Sequence, residues 1–206
     1  MKILRLDSSM RHRGSDSRAL ADSLIAKLQE KLGSSKLACR DLKAGIGHVS
    51  GAWRDASLNN AETRSSQDRA VLAQSDALSA ELDRADILVV AMPVYHFSVP
   101  TSFRAWVDLV CRENVDGASA TMLDKRGHNK RAVVILTSNH TTAGAGDDFA
   151  TGYATFILRF LGATTVDIVD ATGLAGDRDA VLARARATID NLVDRLSDDP
   201  EPVAAE

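Results

Sequence analysis

The 206-residue sequence predicts an α/β domain, a doubly wound five-stranded parallel sheet in the order 2-1-3-4-5 with helices on both faces. Three observations carry that expectation. Short β-branched runs alternate with helix-length amphipathic segments almost without a break. Two of the runs, residues 87–91 and 131–137, are apolar without alternation, as strands buried on both faces are. Helical crossovers between parallel strands are right-handed, which leaves few strand orders for five strands.

The elements follow in chain order. Residues 2–6 form the first strand and 7–16 a polar loop. Residues 17–32 are an amphipathic helix with Leu20, Leu24, Ile25 and Leu28 on one face and Gly33 as its stop. Residues 36–41 are a second, less apolar strand, and 44–66 an irregular polar stretch. Residues 67–84 are a helix carrying Val71, Leu72, Leu78 and Leu82. The third strand, 87–91, is expected to stop at Met92-Pro93, because proline has no N–H for a ladder. Pro100 suits the first turn of a helix at 101–112, which carries Phe103, Trp106, Val107 and Val110. Residues 113–130 are a variable excursion before the fourth strand at 131–137. A helix at 148–161 ends at Gly162, the fifth strand spans 164–169, and the last helix 180–196. A single domain over 1–196 is expected, followed by a disordered, acidic, proline-containing tail at 197–206.

Bulk composition narrows the function classes. Lys+Arg 25 against Asp+Glu 28 gives a net charge of −3 without a basic block, which argues against nucleic acid and a membrane surface as partners. No apolar run approaches the ~20 residues of a membrane span, and the first residues read as a strand rather than a signal peptide. Cys39 and Cys111 are far apart and form no C-x-x-C, so they are expected to be reduced core thiols of a cytoplasmic protein. No H-E-x-x-H, paired C-x-x-C or carboxylate-histidine cluster points to a metal, and no G-x-S-x-G to a hydrolase elbow.

In the predicted strand order the switch point lies between strands one and three, so the loops after Leu6 and Ala91 open into one crevice, where open α/β sheets bind ligands. The first loop leads into a helix N-terminus. Ser9, Ser15 and Ser17 add hydroxyls there, and Gly14 permits a backbone turn. This suits a terminal phosphate offset by Arg11, Arg13 or Arg18. The same serines and Asp16 read equally as helix caps that need no ligand. The second loop sets Tyr95 and Phe97 around His96 between two prolines, and such a loop can lay backbone and ring edges along a flat heterocycle, here a flavin. Alternatively the two rings are core aromatics and His96 an exposed turn residue. The third, 137–147, offers hydroxyls, an amide and an imidazole, or is simply a polar loop leading to Asp147 as a cap.

Over nearly its whole length the chain resembles the azoreductases, FMN-dependent NADH:quinone oxidoreductases of flavodoxin-like fold. The resemblance rests on L-D-S-S at 6–9, S-D-S at 15–17, R-D-L at 40–42, and above all M-P-V-Y-H-F-S-V-P-T at 92–101. D-L-V at 108–110, I-L-T-S at 135–138 and F-L-G-A at 160–163 support it. It implies that Ser9, Ser15, Asp16 and Ser17 hold the FMN phosphate. It also implies that Val94, Tyr95, His96 and Phe97 lie along the ribityl chain and ring, and that Ser138, Asn139, His140 and Thr141 touch the flavin edge. The implied activity is ping-pong electron transfer from NADH (or NADPH) to a quinone or azo acceptor, with His96 or His140 as candidate proton donors. The implied assembly is a homodimer, with Phe103 and Trp106 on its surface or in the core. Val94 stands where the family has methionine, His96 where it has asparagine, and His140-Thr141 where it has two glycines. Residues 116–120 lack the family's aromatics. A flavin-binding electron carrier or regulator without NADH turnover, and a scaffold that has lost its cofactor, are the alternatives.

Overall fold

The computed structural model describes residues 1–112 and 130–198. Most of the expected excursion at 113–130, including the stretch at 116–120, lies outside the described residues, as does the expected tail from 199 onward. The strands are Lys2–Asp7 (β1), Lys36–Asp41 (β2), Ile87–Pro93 (β3), Lys130–Thr137 (β4) and Ala163–Ala171 (β5). They form one parallel sheet in the order β2-β1-β3-β4-β5, as predicted. The helices are Asp16–Leu32 (α1), Gly51–Leu58 (α2), Ser66–Asp83 (α3), Thr101–Val110 (α4), Ala150–Phe160 (α5) and Arg178–Asp198 (α6).

The continuous apolar runs are buried on both sides, as their lack of alternation requires. Val89, Ala91, Val133 and Ile135 pack with Leu20, Leu24 and Leu28 of α1 and Leu192 of α6. Leu88, Val90, Met92, Val134 and Leu136 pack with residues of α3, α4 and α5. Phe103 and Trp106 are wholly buried there, their rings stacked with centroids 5.8 Å apart, so they are core residues and no partner surface.

Other expectations shift for local reasons. β3 runs on through Met92 to Pro93. In a parallel ladder successive residues address opposite neighbours. Val94 N–H donates to the Thr137 carbonyl on the β4 side (2.8 Å), so Pro93 faces the side where β1 has already ended, and its missing N–H costs no ladder bond. The stretch 44–66 is not wholly irregular: Ser50 caps α2 by accepting from Trp53 N–H, and a 3₁₀ turn follows at Ala61–Thr63. Cys39 is exposed on the edge strand β2 and so is no core thiol, whereas Cys111 is partly buried and packs against the core. Finally, α6 continues to Asp198, beyond the expected start of the tail.

Candidate functional site

The carboxyl ends of β1, β3 and β4 converge on a cleft of about 360 Å³, within the usual size of small-molecule sites. Ser9, Ser15 and Asp16 line it, as do 94–97 and 138–141, together with Arg11 and Leu174. Ser17 does not; it is buried, its Oγ 3.2 Å from Ser15 Oγ. Three separate loops of predicted residues thus meet at one place. Leu174, on the loop after β5, carried no signal in the sequence. Its N–H donates to the Ser138 carbonyl (2.9 Å), and Ala175 N–H to the Asn139 carbonyl (3.0 Å).

The first loop leaves β1 where both N–H and Oγ of Ser8 donate to the Ala91 carbonyl at 3.0 Å. Ser9 is buried, with its Oγ accepting from Arg11 N–H (3.2 Å). Gly14 takes φ 68°, which turns the chain into α1 without a side-chain penalty. Ser15, at the N-cap, makes no side-chain capping bond, so the first-turn N–H groups and the dipole's positive end remain available beside the cleft. The Asp16 carboxylate would repel an anion, but Arg178 of α6 bonds both its oxygens, at 3.0 and 2.5 Å. Of the three arginines expected to offset a phosphate, only Arg11 lines the cleft. Arg13 is exposed away from it, and the Arg18 guanidinium is engaged elsewhere, by Asp7, Asp41 and the Ser9 carbonyl.

The second loop is a tight turn. Tyr95 and Ser98 exchange backbone hydrogen bonds, both 3.0 Å, around His96 at φ 49° and Phe97 at φ 68°. Two-residue turns with both φ positive usually carry Asn-Gly, and a bulky residue there costs about 1–3 kcal/mol. Surrounding bonds hold the turn. Phe149 N–H donates to the Phe97 carbonyl (2.9 Å), and Met10 N–H donates to the Tyr95 hydroxyl (3.2 Å), tying the first loop to the second. Phe97 is 51% exposed and Tyr95 half-buried, so the rings are not simply core.

In the third loop Ser138 and Thr141 are buried, the Ser138 hydroxyl donating to the Thr141 carbonyl, while Asn139 and His140 are exposed at the cleft. The helix that follows is capped by Asp148, not Asp147. Asp148 Oδ1 accepts from Ala150 and Thr151 N–H, and Oδ2 from Gly144 N–H. Partial burial pushes this carboxyl up, but the bonds from Thr151, Gly144 and Ala150 outweigh it and hold it below its ordinary value. Hydroxyls, amides and Arg11 at one end, with aromatic and apolar surface at the other, fit a ligand carrying an anionic group and a flat ring.

The family model described as "Flavodoxin-like fold" matches residues 1–193. The chain is 36% identical over 197 residues to "FMN-dependent NADH:quinone oxidoreductase 1" of Colwellia psychrerythraea, covering 93% of this chain and 100% of the relative. It is 38% identical over 192 residues to the protein of the same name from Jannaschia sp., covering 92% and 97%. The crystal structure of an FMN-dependent NADH-azoreductase from Bacillus anthracis str. Ames Ancestor in complex with FMN superposes with a TM-score of 0.82, over 96% of this chain and 100% of that one. At 16% identity, that likeness shows the fold.

Proposed function

Because the chain belongs to the flavodoxin-like fold family, with curated relatives named FMN-dependent NADH:quinone oxidoreductase along most of its length, we infer that it is an FMN-dependent oxidoreductase that passes electrons from NADH to quinones or azo compounds. The observation that supports this best is the two-ended cleft, with phosphate-binding chemistry at the start of α1 and strained backbone at His96 and Phe97. FMN, when bound, supplies the redox chemistry between hydride donor and acceptor.

The chain's residues bind and orient. The hydroxyls of Ser9 and Ser15 and the N–H groups of α1's first turn hold the phosphate, with Arg11 offsetting its charge. Ser17 supports Ser15 from beneath. Asp16 contributes its backbone N–H, while Arg178 neutralises its carboxylate. Residues 94–97 would form the wall along the ring, and 138–141 would lie at its polar edge, where the exposed Asn139 and His140 would supply donors. His96 and His140 are both exposed at the cleft, placed to give a proton to the reduced acceptor in competition with water. Rates of acceptor reduction unchanged in both His96→Ala and His140→Ala would assign that proton to solvent.

A single stacking place beside bound FMN would serve donor and acceptor in turn, which is the ping-pong order. Initial rates against NADH at several quinone concentrations are then expected to give parallel double-reciprocal lines; intersecting lines contradict it. The protein acts as a homodimer, an inference supported by Phe149 and Phe156 standing 65% and 68% exposed on and beside α5. Among the described residues no helix is long and apolar enough to cross a membrane. The cytoplasm, where NADH is supplied and thiols stay reduced, is the compartment that fits.

A further inference from the structure

Arg40 and Asp41 end the edge strand β2, with Leu42 just beyond it, and none of the three lines the cleft, yet the Asp41 carboxylate bonds Arg18, which bonds the loop that does. Arg18 Nη2 donates to Asp41 Oδ1 (2.8 Å) and to the Ser9 carbonyl (2.9 Å), and Nη1 donates to Asp7 Oδ2 (3.0 Å). Arg5 closes the cluster, with Nε donating to Asp7 Oδ1 (2.9 Å) and Nη2 to the Arg18 carbonyl (3.2 Å). The side chains of Arg5, Asp7 and Arg18 are only 10–12% exposed.

We propose that Arg18 is a positioning residue for the FMN phosphate, acting through Ser9. The proposal rests on the assignment of that phosphate to the turn at Ser9 and Ser15. Arg18 itself stays out of the cleft lining. Two physical effects follow from its bonds. The guanidinium fixes the Ser9 peptide by its carbonyl, and so fixes where the Ser9 hydroxyl stands at the cleft. It also offsets Asp7 and Asp41, two carboxylates just behind the phosphate loop whose charge opposes a dianion. Glutamine removes the charge and most of the fork. Lysine keeps the charge but cannot hold three acceptors in one plane. Both effects concern the phosphate, so they discriminate FMN from riboflavin, which has the same ring and no phosphate.

The test titrates the full-length chain, freed of flavin, with FMN and separately with riboflavin, following quenching of flavin fluorescence. Arg18→Gln is expected to weaken FMN on the order of tenfold or more while riboflavin affinity stays within about twofold, with Arg18→Lys in between. Parallel weakening of both ligands, or unchanged FMN affinity, overturns the proposal. Should Arg18→Gln fail to fold, Arg18→Lys decides on the same criterion: an FMN-to-riboflavin ratio reduced about threefold supports the role, and an unchanged ratio refutes it. An unsubstituted protein without preference for FMN over riboflavin removes the phosphate assignment itself, and this role with it.

Discussion

His96 and Phe97 hold the aromatic wall of the cleft in backbone conformations that neither side chain favours. At His96 the side chain is exposed, so a substitution there reads backbone strain with little packing change. His96→Val is expected to destabilise the fold by about 1–2 kcal/mol in urea unfolding, because a β-branched residue tolerates positive φ worst, whereas His96→Asn stays within about 0.5 kcal/mol. Equal stability of the two would contradict the strained turn. Asp148 gives a pH-dependent counterpart. Its folded pKa lies below the ordinary 3.8, so its contribution is complete above that value and is lost as pH falls through the folded pKa beneath it. Asp148→Ala is expected to cost about 1 kcal/mol at neutral pH, with the difference from the unsubstituted protein shrinking below about pH 4. At this scale serines at a strand-to-helix turn were legible in the sequence, because hydroxyl and glycine patterns report local backbone needs. The positive φ pair was not, since no glycine or asparagine marks it. Which of Arg11, Arg13 and Arg18 lines the cleft is not legible in the sequence, because proximity along the chain does not reveal a carboxylate arriving from another strand, as Asp41 does at Arg18.

Among the described residues, the two most exposed large hydrophobics are Phe156 on α5 and Phe149 just before it. Phe156 stacks on Phe160 with centroids 6.5 Å apart, and Phe149 stands open at the helix start, where its N–H braces the 95–98 turn. If this face meets a second copy, Phe149→Ser with Phe156→Ser shifts the mass measured by sedimentation toward the monomer, while the fold is retained. An unchanged dimer places the interface elsewhere. The family resemblance leaves Phe103 and Trp106 either on a partner surface or in the core, and helical spacing does not decide between them. It could not say that α4 is covered on almost every side, by the sheet, α3 and its own neighbours. The small helix α2 was missed because its eight residues bury only Ala56 and Ser57, too few for a periodic apolar stripe. The end of β3 was placed too early because the proline rule holds only where the missing N–H would have met a neighbour.

For the molecule as a whole, strand order and crossover positions were readable, because fully buried parallel strands leave unbroken apolar runs and right-handed connections restrict their order. That order alone brings the ends of β1, β3 and β4 together, and three of the four loops that line the cleft are legible in the sequence, while the loop after β5 adds Leu174 without a signal. Identity with relatives named FMN-dependent NADH:quinone oxidoreductase extends across the same elements. The most direct test is a visible spectrum of the purified full-length chain loaded with FMN, recorded without oxygen before and after adding NADH and then a quinone. The account predicts a yellow protein whose flavin band bleaches promptly with NADH and returns with quinone. A protein that takes up no FMN, or one whose bound flavin ignores NADH, would contradict it.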